Sequence, residues 1–207
     1  VVSRLPMRLK LHHLTNLHDA RASAAWGAHY LGFALERGHL YKLSESAVEA
    51  FFEWLSGSFL VMQLGEDLAQ AAPLTPWLRQ HRLWLEFDGP TAAEAFARGT
   101  LELPVPYGLT CPLGVASSLP TELVAQAQYL DVLPGPALDT AALTQLRASL
   151  PQGLPLLLRT DALAATDLPA AAAHADGLSL GAHQPDAFGQ LDYDRVEALL
   201  DVLGELD

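Results

Sequence analysis

Two adjacent histidines, His12 and His13, close the first apolar run of this chain, and other reactive side chains stand at the ends of later runs. Glu86 and Asp88 follow Trp84-Leu85, Asp131 follows Tyr129-Leu130, and Arg159-Thr160-Asp161 follows Leu156 to Leu158. Gly181, His183 and Gln184 follow Gly177 to Leu180. An imidazole titrates near neutral pH, so His12 is chemically a credible general base; the plainer reading is a polar side chain that plugs the barrel end. A carboxyl such as Asp131 works as an acid only if burial or a neighbouring carboxylate raises its pKa; otherwise it is a loop or helix-cap group. The Arg159 guanidinium can hold a phosphate or carboxylate in bidentate fashion, or it can pair internally with Asp161 or Glu86. His183 and Gln184 can add donors.

Histidine with carboxylate also suits zinc or iron, and His12 or His13, Glu86 or Asp88, Asp131 and His183 are the residues that would have to converge. Neighbours on a strand point to opposite sides, which sends His12 and His13 apart. No His-x-His or His-Glu-x-x-His spacing occurs, so neither a metal nor any other cofactor is expected. The single Cys111 excludes an internal disulfide and a cysteine-built metal site, and reads as a small buried hydrophobe or a reactive thiol. His18, His29, His81 and His174 read as surface or packing residues. Trp26, Trp54 and Trp77 read as core or interface anchors, while Trp84 faces either a sheet interior or a helix layer.

The elements that position these residues alternate in type. Strands are expected at 8–11, 30–34, 59–64, 83–87, near 107–110, 129–133, 155–158 and 177–180, each an apolar run bounded by turn residues. Helices fall between them. Asn16, Ser44 and Asp139 stand at helix starts, and Gly27 at a helix end. Val48, Phe51, Phe52 and Leu55 form one stripe, as do Leu143, Leu146 and Leu150, and Val196, Leu199, Leu200 and Leu203. Eight strands alternating with eight helices in 207 residues fit a minimal single-domain α/β (β/α)8 TIM barrel over residues 1–207, with Val1 to Pro6 a lead ahead of Met7. The rival, an open doubly wound sheet, calls for a glycine-rich loop after the first strand, where this chain has His12-His13-Leu14-Thr15.

Hydrophobic residues make up 50% and charged residues 17% of the chain, a globular composition. The net charge of −12 and only two lysines, Lys10 and Lys42, argue against nucleic acid and anionic membranes as partners. No apolar run approaches the ~20 residues needed to cross a bilayer, and no signal-peptide pattern is legible at the start, so a cytoplasmic location is expected. Monomer and homodimer both fit.

Lys10-Leu11-His12-His13-Leu14-Thr15-Asn16-Leu17-His18-Asp19-Ala20, with Gly27 to Phe33, resembles the opening βαβ unit of the phosphoribosylanthranilate isomerase family. Tyr41 to Ala47, Met62 to Asp67, Leu85 to Pro90, Tyr129 to Asp131, Asp176 to Gly181 and Asp192 to Val196 are similar to later family segments in order. The resemblance spans nearly the whole chain, is most specific at its N-terminal end, and is weak in the middle. It implies a TIM barrel and an aldose–ketose isomerase of tryptophan biosynthesis, which rearranges a phosphoribosyl N-glycoside by the Amadori route. An acid opens the furanose ring and a base removes the C2 proton. His12 takes the place of the family's catalytic cysteine, and Asp131 that of its acid.

The departures gather at the end of the barrel where those residues stand. The substrate-carboxylate arginine becomes Leu40, with Lys42 two residues on. The phosphate-binding Gly-Gly after strand 7 becomes Arg159-Thr160, and the glycine-rich loop after strand 6 becomes Pro134-Gly135-Pro136. The resemblance thus leaves two expectations. One is an isomerase with His12 as base and Asp131 as acid, holding a small phosphorylated molecule through Lys42, Arg159, Thr160, Gly181 and His183. The other is a pseudoenzyme barrel that binds a ligand or partner without turnover.

Overall fold

The structure, a computed structural model, describes residues 7–35, 43–52, 54–101, 105–135, 137–181, 183–184 and 187–204. The lead at 1–6, Leu40 and Lys42 lie outside the described residues, and so do the side chains of 183–190. Eight parallel strands close into a barrel in sequence order: β1 (Arg8–His12), β2 (Tyr30–Ala34), β3 (Phe59–Gly65), β4 (Trp84–Asp88), β5 (Tyr107–Pro112), β6 (Leu130–Leu133), β7 (Leu156–Arg159) and β8 (Gly177–Gly181). The seam joins β8 to β1, with Lys10 opposite Ser179 and His12 opposite Gly181. The helices are α1 (Leu17–Ala25), α2 (Glu45–Phe52), α3 (Ala71–His81), α4 (Gly89–Ala97), α5 (Leu113–Ala116), α6 (Thr121–Gln126), α7 (Thr140–Ser149), α8 (Leu168–His174) and α9 (Tyr193–Gly204). This is the expected single-domain (β/α)8 barrel.

The predicted caps form. Asn16 accepts the Asp19 N–H at 2.9 Å, Ser44 the Ala47 N–H at 3.2 Å, and Asp139 the Ala142 N–H at 2.9 Å. Gly27 takes φ +82° past α1, a conformation that favours glycine. Strict one-helix alternation does not hold. The four-residue α5 precedes α6, and an antiparallel hairpin of β9 (His183–Gln184) and β10 (Ala187–Leu191) intervenes between β8 and α9.

Period-two alternation divides each strand between two environments. Leu9, Leu11, Leu31, Phe33, Met62, Leu64, Leu85, Phe87, Leu109, Val132, Leu156, Leu158, Leu178 and Leu180 pack outward under the helices in one continuous core. The alternate positions face the barrel axis. At the N-terminal end these are aromatic: Tyr30 and Tyr129 centroids lie 4.9 Å apart, and Phe59 and Trp84 stack at 4.3 Å. Trp84 therefore lines the interior. Gly108 makes this plug possible, because a Cβ there would meet the Tyr129 ring at 2.2 Å. Above the plug, toward the strand C-termini where barrel enzymes do their chemistry, the interior turns polar.

Candidate functional site

The polar layer draws one side chain or more from β1, β3, β4, β5, β6, β7 and β8. Lys10 on β1 is fully buried and donates to two carboxylates, Glu86 Oε2 and Asp131 Oδ2, the latter at 2.6 Å. Glu86 also accepts from Tyr129 OH at 2.7 Å and Gln63 Nε2 at 2.6 Å. Asp131 Oδ2 accepts from Ser179 Oγ at 3.0 Å and Arg159 Nη2 at 3.4 Å. The same guanidinium nitrogen reaches Thr110 Oγ1 at 3.3 Å and lies 3.9 Å from Glu86 Oε1. Paired charges are the condition under which such groups tolerate burial.

These pairings set the protonation states. Burial alone would raise the Asp131 carboxyl; Lys10 and Arg159 outweigh it and hold it down to about 2. Glu86 is lowered in the same way, with Lys10 overcoming burial. Both carboxylates are ionised at neutral pH. Burial moves Tyr129 the other way, well above its ordinary value, with the Glu86 charge adding to the effect. Its proton is committed to Glu86.

His12 sits at the end of β1 with 1% exposure. Glycine at position 32 makes room for it, since a Cβ there would meet His12 Cβ at 2.9 Å and Gln63 Oε1 at 2.8 Å. Burial and then the Arg159 charge lower its pKa, against an opposing pull from Asp161, so the ring is neutral at pH 7. Its Nε2 is 3.4 Å from Asp161 Oδ2. Among the described residues, four buried polar atoms in this region have no hydrogen-bond partner: His12 Nδ1, His12 Nε2, Asp131 Oδ1 and Arg159 Nε. Each such atom costs about 1–3 kcal/mol unless something satisfies it.

The structure thus gathers His12, Asp131, Arg159 and Gly181 at one barrel end. Thr160 is adjacent but turned away, its hydroxyl donating to the Ser179 carbonyl at 3.0 Å. Lys42 and the His183 side chain lie outside the described residues. The internal ion pairing anticipated for Arg159 is present with Asp161 (4.0 Å) and Glu86, and extends to Asp131. His12 and His13 do not part as adjacent strand residues should. The strand ends at His12, His13 takes φ +61°, and the two rings meet edge to face at 4.5 Å. Among the described residues no three histidine, cysteine or carboxylate side chains form a group able to hold a metal. Asp88 caps α4, accepting the Thr91 N–H at 3.0 Å. Cys111 is buried, its thiol pushed up to about 12 chiefly by burial, so it is the hydrophobe rather than the nucleophile.

Lys10, Gln63, Thr110, Tyr129 and Ser179 join the site without a motif in the sequence that marks them. The available signal was a polar side chain at an axis-facing position of an apolar strand, clearest in Arg8-Leu9-Lys10-Leu11-His12 and at Gln63.

Against solved structures the chain is similar to phosphoribosylanthranilate isomerases. The enzyme from Thermotoga maritima superposes with a TM-score of 0.73 at 15% identity over 96% of this chain and 99% of that one. The enzyme from Thermus thermophilus gives 0.72 at 24% identity, covering 97% and 100%. A phosphoribosylanthranilate isomerase bound to reduced 1-(o-carboxyphenylamino)-1-deoxyribulose 5-phosphate gives 0.70 at 14% identity, covering 96% and 99%. No family model and no curated protein matches the sequence. The chain has the phosphoribosylanthranilate isomerase fold, in a divergent sequence.

Proposed function

We propose that this chain is a diverged phosphoribosylanthranilate isomerase-type barrel that binds a small ligand at the strand C-terminal end and no longer performs the isomerisation. One observation carries the reading. Asp131, at the position of the family's acid, is fully buried and shares its Oδ2 among Lys10, Arg159 and Ser179. A carboxylate held in that way has no proton to give to a furanose ring oxygen. The neutral His12 beside it is also a base, and the Tyr129 proton is engaged by Glu86. Among the described residues the mouth therefore offers two bases and no free acid, whereas ring opening and C2 deprotonation need one of each.

A second reading, retained aldose–ketose isomerisation in tryptophan biosynthesis, is favoured by one feature: burial keeps His12 neutral, as a base at the former cysteine position must be. The test is direct. The purified protein is incubated with phosphoribosylanthranilate and the substrate's fluorescence followed. No turnover is expected at protein concentrations where the Thermotoga maritima enzyme consumes it. Turnover that disappears in both His12→Ala and Asp131→Asn would overturn the binding-barrel reading and establish the isomerase.

A further inference from the structure

Asp161 follows β7 at the rim, and its side chain, 39% exposed, approaches His12, Arg159 and the Gly181 backbone. Its Oδ1 accepts the Gly181 backbone N–H at 2.6 Å. Its Oδ2 lies 3.4 Å from His12 Nε2 and 4.0 Å from Arg159 Nε. A backbone N–H, an imidazole and a guanidinium converging on one point make an anion seat, and Asp161 fills it. The fit depends on glycine at position 181, where a Cβ would stand 2.4 Å from Oδ1.

The backbone that delivers the carboxylate is tied down as well. Arg195 from α9 donates Nη2 to the Thr160 carbonyl at 2.6 Å and to the Asp161 carbonyl. The Thr160 N–H is bonded to the Ser179 carbonyl at 2.7 Å. Charge points the same way. Among the described residues, Lys10, Arg159 and Arg195 stand around the seat against Glu86, Asp131 and Asp161, so with His12 neutral the named charges balance and no cation is left over for a further anion.

We propose that the Asp161 carboxylate is a built-in anion that occupies the ligand's anion seat, so that the protein excludes phosphate esters and carboxylates there and takes an uncharged polar ligand. This rests on reading the mouth as a ligand site, but its test does not depend on turnover. Inorganic phosphate is titrated into the parent protein, Asp161→Asn and Asp161→Gly, with heat and the His12 ring resonances as readouts. Thermal unfolding checks that the variants are folded. The parent is expected to bind no phosphate at the mouth. Both variants are expected to bind it at least ~10-fold more tightly than the weakest affinity the titration could have detected in the parent, a gain of at least ~1.4 kcal/mol, with a shift of the His12 signals. Parent binding as tight as the variants', or folded variants that neither bind phosphate nor move His12, would overturn the proposal. The phosphoribosylanthranilate assay separately decides whether the barrel turns over, so the two readings fail by different measurements.

Discussion

At the scale of single residues, the decisive side chain is Lys10, which bridges Glu86 and Asp131 with no exposure of its own. Removing one partner of a buried ion pair is far more costly than replacing the pair, because an uncompensated charge remains. Lys10→Met leaves two ionised carboxylates facing each other inside the barrel. It should lower the unfolding free energy in urea by about 3–5 kcal/mol, and adding Glu86→Gln should restore much of that loss. A Lys10→Met loss below ~1 kcal/mol would mean that Arg159 alone compensates the pair, and a full loss with no recovery in the double variant would mean that the unpaired Glu86 charge is not its cause. Sequence placed Lys10 on the first strand but gave it no partner. Alternation shows that position 10 faces the axis, whereas a pairing 76 residues away along the chain with Glu86 needs the closed barrel. His12, Asp131, Arg159 and Gly181 were legible because each ends an apolar run or matches a family position. Asp161 was legible only as a partner for Arg159.

At the scale of elements, the same comparison turns on length and caps. The apolar run at 30–34 is the second strand to the residue, and the Asn16, Ser44 and Asp139 caps are where the amide, hydroxyl and carboxylate side chains put them. The four-residue α5 is shorter than one period of an apolar stripe repeated, so periodicity could not find it. Asp88 ends a strand, where a carboxylate could serve as a ligand, but that same position begins α4, and the carboxylate caps the helix. Packing of β5 against the Tyr129 ring yields a sharper test. The ring is held between Tyr30, Trp84 and Glu86 and cannot retreat. Gly108→Ala should therefore destabilise the barrel by about 1–3 kcal/mol or more through overpacking. Gly114→Ala, with nothing within 4 Å of the new methyl, should leave stability unchanged or slightly higher. Equal unfolding midpoints for the two variants would show that the ring yields after all.

Closing eight strands into one ring brings every axis-facing group into a single small interior, so proton binding there is a property of the whole molecule. His12, and less deeply His29, have pKa values lowered by burial. The unfolded chain takes up protons below about 6.5 that the folded chain refuses. Where the unfolded state binds more protons, stability rises with pH. The contribution of these histidines is thus complete above that value and is lost as pH falls toward their folded values. The carboxylates add a second loss in the same direction. Glu86 is lowered and Asp131 held at about 2, so their contribution is complete above the ordinary carboxylate range and lost as pH falls from about 4 toward 2. Thermal midpoints recorded from pH 8 to pH 3 should fall in two stages, the first below 6.5 and the second below 4. His12→Asn should flatten the first stage, leaving the part owed to His29, and leave the second in place. The slope is the quantity to compare, since the substitution can shift the whole curve without changing how many protons unfolding takes up. Curves of equal slope between pH 7 and pH 5 for parent and variant would mean that His12 is protonated in the folded protein. The mouth would then carry an acid beside Asp131, and the isomerase reading would regain the group that it lacks.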